Sequence, residues 1–185
     1  INGEATFDYF GISSAINASG NIIAGGAYHN DGINGYNSGH IRVYEYVAGV
    51  WTQLGNDIDG EAPDDRCGWS VSLNNSGYRV AVGSPQNDGN GYNSGSARVY
   101  DWNGSSWSQV GSDINGEAVG DHSGNSVSLN ASGNILAVGA IYNQDNGHNS
   151  GHVRVYEYIG NSWVQMGGDI DGEAAIDESA RSISL

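Results

Sequence analysis

The sequence has no lysine, two prolines, one cysteine and no long apolar run. Cys67 stands alone, so no disulfide within the chain and no cysteine-paired zinc site can form. No segment approaches the ~18 consecutive apolar residues of a membrane-spanning helix. Outside residues 173–185, no glycine-free stretch exceeds nine residues, which leaves little room for helices of ordinary length, about 11–12 residues. These absences exclude a helical bundle, a coiled coil and a Rossmann-type α/β fold, and they favour an all-β chain.

The charge is strongly one-sided. Six basic residues, all arginine, face 21 acidic residues, and the net charge is −15. Such a surface repels the nucleic-acid backbone and anionic lipid headgroups, so we expect neither nucleic-acid binding nor direct membrane insertion. The acidity has two possible interpretations. It either keeps the chain soluble in a salty medium or serves to bind cations.

A repeat of 56 residues organises the chain. The block Asp57-Ile-Asp-Gly-Glu-Ala62 returns at residues 113–118 and 169–174, and Ile1–Ala5 is the same block 57 residues earlier. Self-similarity at a fixed period is typical of repeat architectures. The spacing predicts a single domain over residues 1–185, with units at about 1–56, 57–112 and 113–168 and a partial fourth unit at 169–185.

Each unit reads as four short strands. In the third unit they are 126–129, 135–139, 152–158 and 162–166, and the second of these is apolar throughout, as expected of a strand buried on both faces. A four-stranded antiparallel unit repeated every ~40–60 residues is typical of a β-propeller blade. We therefore predict an all-β propeller with three four-stranded blades and the first strand of a fourth, forming part of a larger ring or repeat array.

Three local motifs carry a family resemblance. Phe10-Gly11 opens strand one, Gly83-Ser-Pro85 closes strand two, and Ser94-Gly-Ser-Ala-Arg-Val-Tyr100 forms strand three. In this order and spacing the chain resembles, along its whole length, the FG-GAP repeat of integrin-α-type propellers. The phenylalanine position departs from the pattern in later units, where it is Cys67, Ser123 and Ser179. The resemblance implies an extracellular, usually non-catalytic module for adhesion or ligand binding, commonly in a seven-bladed ring.

The acidic blocks are the first candidate site. Each places oxygen-bearing side chains at positions 1, 3, 5 and 9 of a loop, and alternate oxygen ligands are how calcium-binding loops wrap a hard cation. The alternative interpretation is that the last aspartate of each block caps a turn. The integrin-type calcium loop joins strands one and two and has no counterpart here. The candidate calcium ligands are Asp57, Asp59, Glu61, Asp65, Asp113, Asn115, Glu117, Asp121, Asp169, Asp171, Glu173 and Asp177.

The asparagine-rich loops between strands two and three are the second candidate site. They place amide and carboxylate groups beside a tyrosine or histidine, an arrangement that suits a sugar. Because asparagine and glycine tolerate positive φ, the same residues also suit ordinary turns. The candidate ligand-binding residues are Asp31, Asn34, Tyr36, Asp88, Asn90, Tyr92, Asp145, Asn146 and His148.

Two further patterns concern modification and packing. Four sequons fall at predicted hairpin tips, where glycans are expected if the host is a secreting eukaryote. The tryptophan that starts strand four of each unit is expected to pack between blades, whereas Trp69 and Trp102 have no equivalents and are better candidates for an exposed contact. The sequon asparagines are Asn17, Asn74, Asn103 and Asn130, and the strand-four tryptophans are Trp51, Trp107 and Trp163.

Catalysis has little support, because the histidines are scattered and no nucleophile, zinc-protease or phosphate-loop motif is present.

The leading hypothesis is a non-catalytic structural or adhesive module of a secreted or cell-surface protein, and the alternative is a lectin-like binder using the asparagine-rich loops. The expected partners are further blades or other copies of the chain, together with a glycan or a surface protein. The chain starts without Met or a signal-like segment and therefore reads as a mature or excised segment.

Overall fold

The computed structural model describes all 185 residues and contains β-strands but no helix. Its 15 strands form three sheets of five strands each, and the sheets follow one another along the chain. The first sheet holds β1 (Ser14–Ile16), β2 (Ile22–Ala27), β3 (His40–Val47), β4 (Val50–Gln53) and β5 (Ile58–Asp59). The second holds β6 (Ser70–Leu73), β7 (Arg79–Ser84), β8 (Ser96–Trp102), β9 (Trp107–Gln109) and β10 (Ile114–Asn115). The third holds β11 (Ser123–Leu129), β12 (Ile135–Ala140), β13 (His152–Ile159), β14 (Ser162–Gln165) and β15 (Ile170–Asp171).

Each sheet is a four-stranded antiparallel blade with one short addition. In the third blade the order is β11-β12-β13-β14, and β15 pairs with the first two residues of β13. The predicted strands and their order are therefore confirmed. The two-residue strands β5, β10 and β15 fall inside the acidic blocks and were not predicted, because two residues are too few to show an alternating pattern.

The predicted first strand of a fourth blade is not formed as a strand. Residues 172–185 hold no strand, although they follow the path of the earlier units. The Ala180 carbonyl accepts a hydrogen bond from Ser126 Oγ (2.6 Å), and the Leu185 amide donates to Ser128 Oγ (3.0 Å). In the third blade the first strand pairs with the second strand of the same blade, and residues 172–185 have no such pairing in the structure.

The hydrophobic core lies between successive blades. One cluster joins blades one and two, and its fully buried members include Ile22, Ile41 and Val80. A second cluster joins blades two and three and includes Val99, Leu136 and Val138. The central strands β7 and β12 face a neighbour on each side, which explains why residues 80–83 of β7 and all of β12 are apolar.

The strand-four tryptophans tie each blade to the one before it. Trp107 Nε1 donates to the Leu54 carbonyl (2.8 Å), and Trp163 Nε1 donates to the Val110 carbonyl (2.9 Å). Both rings also pack against the apolar clusters between the blades. The predicted role in blade-to-blade packing is confirmed for Trp107 and Trp163.

The blades approach so closely that glycine is required at the contact. A Cβ on Gly83 would lie 1.9 Å from the Gly124 carbonyl oxygen, and that oxygen accepts a hydrogen bond from Ser70 Oγ (2.8 Å). The same contact joins Gly26, Gly68 and Ser13 between blades one and two. This contact fixes the spacing of neighbouring sheets.

Gly116 gives a direct test of close backbone approach. A Cβ there would lie 2.0 Å from the Ser94 carbonyl oxygen, so we expect Gly116→Ala to lower the free energy of unfolding by about 1–3 kcal/mol or more through overpacking. Gly168→Ala is the matched control, because a Cβ at Gly168 has nothing within 4 Å. Urea unfolding of both variants measures the difference. Equal stability of the two variants would contradict a steric requirement at Gly116.

The antiparallel order sorts the loops to two ends of each blade. The acidic blocks and the β2–β3, β7–β8 and β12–β13 loops lie at one end, which we call the acidic end. The turns that carry Asn17, Asn74, Asn103 and Asn130 lie at the opposite end. No element has the helical length and apolar character needed to cross a lipid bilayer.

Candidate functional site

The last aspartate of each acidic block caps a turn. Asp65 Oδ2 accepts hydrogen bonds from the amides of Glu61 (3.0 Å) and Ala62 (2.9 Å) and from Asn87 Nδ2 (3.1 Å). Asp121 and Asp177 accept the amides of Ala118 (2.9 Å) and Ala174 (2.7 Å) in the same way. These three carboxylates are committed to holding the backbone of the loop.

The structure does not gather the four candidate calcium ligands of any one block. In the first block Asp57 accepts a hydrogen bond from Gln53 Nε2 (2.7 Å), and Glu61 instead faces Arg98 of the next blade (Oε1 to Nη1, 3.3 Å). The corresponding residues Asp113, Asp169 and Glu117 repeat both contacts. Asp59, Asn115 and Asp171 lie in the short strands β5, β10 and β15, and Glu173 is exposed. The geometry therefore does not support the binding of one cation in each acidic loop.

Acidic side chains from different repeats do converge at the third blade. His152 is 1% exposed, and its Nδ1 lies 3.5 Å from Asp169 Oδ2, 3.9 Å from Asp145 Oδ2 and 3.9 Å from Glu117 Oε2. The four ligand atoms lie within 4.8 Å of one another. Arg154 Nη1 stands 3.6 Å from the other oxygen of Glu117. We call Glu117, Asp145, His152 and Asp169 the histidine–carboxylate cluster.

The other two blades carry reduced versions of this cluster. In the first blade His40 Nδ1 lies 3.7 Å from Asp57 and 4.0 Å from Glu4. The cleft beside it has a volume of about 350 Å³. In the second blade Ser96 replaces the histidine, and Gly89 stands where the third blade has Asp145.

Burial sets the protonation of these groups. Desolvation lowers the pKa of His152, and Arg154 adds to this effect, while Asp169 opposes it. Desolvation likewise lowers the pKa of His40. Both imidazoles are therefore neutral at pH 7. Desolvation raises the pKa of Glu117, and Asp169 reinforces this although Arg154 opposes it.

Sequence reasoning missed His40, His152 and Glu4 as members of a site. The signal was present, because His40 and His152 occupy the same repeat position at the start of strand three. The sequence does not show that these residues lie close to one another in space. Glu117 and His152 are 35 positions apart and meet only because the acidic block before a blade lies over the start of its third strand.

The asparagine-rich loops use most of their polar groups internally. Asn34 Nδ2 donates to the Gly60 carbonyl (2.7 Å), and Asn90 and Asn146 bond to Gly116 and Gly172 in the same way. Asp31 and Asp88 accept backbone amides within their own loops, from Asn37 (2.9 Å) and Asn93 (2.7 Å). Asp145 instead faces His152. The aromatic residues Tyr36, Tyr92 and His148 are exposed, as are the carboxylate and amide residues beside them.

The sequon asparagines differ in exposure. Asn17 is 5% exposed, and its Nδ2 donates to Ser19, Asn21 and the Ser76 carbonyl, so the expectation that it is exposed is wrong. Asn74 and Asn130 are half-buried in equivalent turns, and Asn103 is exposed. Glycosylation of Asn74, Asn103 and Asn130 stays a prediction.

An aromatic groove crosses the acidic end between blades. Trp69 packs against Tyr28 with ring centroids 4.8 Å apart, and both rings face the Arg66 guanidinium. Further along, His122 packs on Tyr142 at 4.9 Å. Trp69 and Trp102 are half-buried in such contacts, so neither is the freely exposed ring that the sequence suggested.

His122 makes stability depend on pH. Desolvation and the Arg66 charge lower the pKa of His122 from 6.5, and Asp121 opposes them. The unfolded chain binds this proton at higher pH, so the free energy of unfolding should fall as the pH drops below about 6.5. His122→Asn, which tolerates the positive φ of this position, should reduce the stability difference between pH 7.5 and 5.5.

Urea unfolding at both pH values measures this effect, and the comparison at pH 7.5 separates any loss of packing. An unchanged difference between the two pH values would show that His122 does not contribute.

Comparison with known proteins agrees with the geometry. Residues 58–100 and 114–156 match the model of the FG-GAP repeat. The chain contains FG-GAP repeats. The matched segments run from β5 through β8 and from β10 through β13, so each FG-GAP repeat begins in an acidic block and ends in a third strand. Comparison with curated proteins gives no match.

Solved structures share the blade architecture. A protein of Bacteroides uniformis described as a 6-phosphogluconolactonase has a TM-score of 0.57 and 10% identity, over 85% of this chain and 40% of that one. Hydrazine synthase of Kuenenia stuttgartiensis has a TM-score of 0.51 and 11% identity, over 86% and 36%. This chain thus spans about two fifths of their length. At such identities the likeness shows the fold alone.

Proposed function

We propose that the chain is a non-catalytic β-propeller module of a secreted or cell-surface protein, with a structural or adhesive role, and that it docks further blades of its own kind. The FG-GAP repeats support the module class. The proposed docking is supported by the exposure of apolar side chains on the two outer blade faces. Each presents groups whose equivalents are buried between blades elsewhere in the chain.

The outer face of the third blade lacks the cover that the other blades have. Ile170 is 60% exposed, whereas the equivalent Ile58 and Ile114 are 6% and 5% exposed. Met166 is 46% exposed, whereas the equivalent Val110 is 8% exposed and receives the Trp163 indole on its carbonyl. This face therefore presents an apolar contact site together with a backbone carbonyl at the position where Val110 accepts the indole hydrogen bond of Trp163.

The outer face of the first blade has the complementary groups. Ile16 is 59% exposed, whereas the equivalent Leu129 is 5% exposed against the preceding blade. Trp51 occupies the position from which Trp107 and Trp163 reach the preceding blade. The two outer faces are therefore complementary in the same way as the two surfaces that meet between neighbouring blades. Complementary but different surfaces of this kind form a head-to-tail interface.

Sedimentation velocity over a range of concentrations tests the docking. We expect the 185-residue chain to associate, and Met166→Asp with Ile170→Asp to reduce association because a carboxylate would be buried without a partner. Ile33→Asp is the control for a charge added to an exposed apolar residue, since Ile33 is 84% exposed on the β2–β3 loop and has no equivalent in the other units. A folded wild-type monomer at every concentration would contradict docking between copies.

Two exposed tyrosines favour a second candidate function, the binding of carbohydrate at the acidic end. Tyr36 and Tyr92 occupy equivalent loop positions and are 65% and 70% exposed. Aromatic rings beside hydrogen-bonding groups suit the apolar faces of sugars. The neighbouring asparagines, however, already bond to backbone carbonyls.

A glycan array tests this candidate. If it is correct, we expect saturable binding that is lost in the Tyr36→Ala, Tyr92→Ala double variant and kept in Tyr46→Ala, an exposed tyrosine on a strand. Binding that is unaffected by the double variant would exclude these loops as the sugar site.

A further inference from the structure

The histidine–carboxylate cluster has the composition of a transition-metal site. It offers one imidazole nitrogen and three carboxylate oxygens, with every ligand atom within 4.8 Å of the others. Zinc takes histidine, aspartate and glutamate ligands at about 2.0–2.2 Å, so neighbouring ligands of a tetrahedral ion lie about 3.3–3.6 Å apart. The observed separations from His152 Nδ1, 3.5, 3.9 and 3.9 Å, differ from this by a few tenths of an ångström.

The imidazole of His152 is aimed into the cluster without a partner of its own. The side chain is 1% exposed, and its Nδ1 is buried with no hydrogen bond. A buried polar atom without a partner costs free energy, and native structures seldom leave one in that state. A metal ion between Nδ1 and the three carboxylates would supply the missing interaction.

The surrounding charges and hydrogen bonds also fit a divalent ion. Three carboxylates and the Arg154 guanidinium leave an excess of two negative charges beside the imidazole. Gln165 holds the second oxygen of Asp169 (2.6 Å), and Arg154 faces the second oxygen of Glu117 (3.6 Å). Partners of this kind orient metal ligands from the outer shell.

We propose that Glu117, Asp145, His152 and Asp169 bind one divalent transition-metal ion such as Zn²⁺. Calcium and magnesium are disfavoured because both require shells of oxygen ligands, and this cluster contributes a buried nitrogen. The ligands come from the block before the third blade, from two of its loops and from the start of β13. The ion would fasten loops of two consecutive repeats to each other.

The repeats themselves provide matched variants. His152→Ser reproduces Ser96 of the second blade, and Asp145→Gly reproduces Gly89, so both substitutions already occur at equivalent folded positions. His40→Ser removes the reduced cluster of the first blade and isolates the site under test. Circular dichroism confirms the fold of each variant.

Calorimetric titration of the full chain with Zn²⁺ tests the proposal. In the His40→Ser background we expect one equivalent of Zn²⁺, an affinity at least about tenfold weaker after His152→Ser or Asp145→Gly, and a melting temperature raised by Zn²⁺. Bound Co²⁺ should show visible absorption bands of tetrahedral coordination, and a large excess of Ca²⁺ should not displace either metal.

Three results would overturn the proposal. One is the absence of saturable Zn²⁺ binding, and another is an affinity unchanged by His152→Ser in the His40→Ser background. The third is displacement of Zn²⁺ by comparable concentrations of Ca²⁺, which would assign an all-oxygen site instead.

Discussion

The close contact of backbone between consecutive blades is the constraint on which the rest of the structure depends. A glycine in strand two lies beneath the carbonyl at the entry to the next blade, where a Cβ would come within about 2 Å, and a serine hydroxyl bonds to the same carbonyl. This contact sets the distance between sheets. At that distance the tryptophan indole reaches a carbonyl of the previous blade, and the apolar faces of β2, β7 and β12 are covered.

The same constraint explains the polar residues at the acidic end. The backbone of each acidic block lies against the start of a third strand, and its amides need partners that the sheet does not supply. Asp65 and its equivalents accept those amides, while Asn34, Asn90 and Asn146 bond to the carbonyls. Residues that recur in every blade are therefore mostly structural, because each blade has the same backbone groups to satisfy.

Departures from the repeat are better indicators of a site than the repeat itself. Asp145 replaces a glycine, His152 replaces the Ser96 of the second blade, and together they complete a cluster that no other blade holds in full. A duplicated unit keeps what packing requires. A side chain that differs between repeats at one position, and that brings a charge or a ligand atom with it, adds chemistry that packing does not need.

The sequence by itself determined the all-β class, the four-stranded blade, its strand order and the packing role of the tryptophans, because each depends on local period and on self-similarity. It suggested which residue types line the acidic end, but not which of them meet. The grouping of Glu117 with His152 and Asp169, the burial of Asn17 and the hydrogen bond from Asn87 to Asp65 were decided by tertiary structure. The cluster brings together residues of different repeats across a blade boundary. Spacing along the chain carries no information about the distance between such residues.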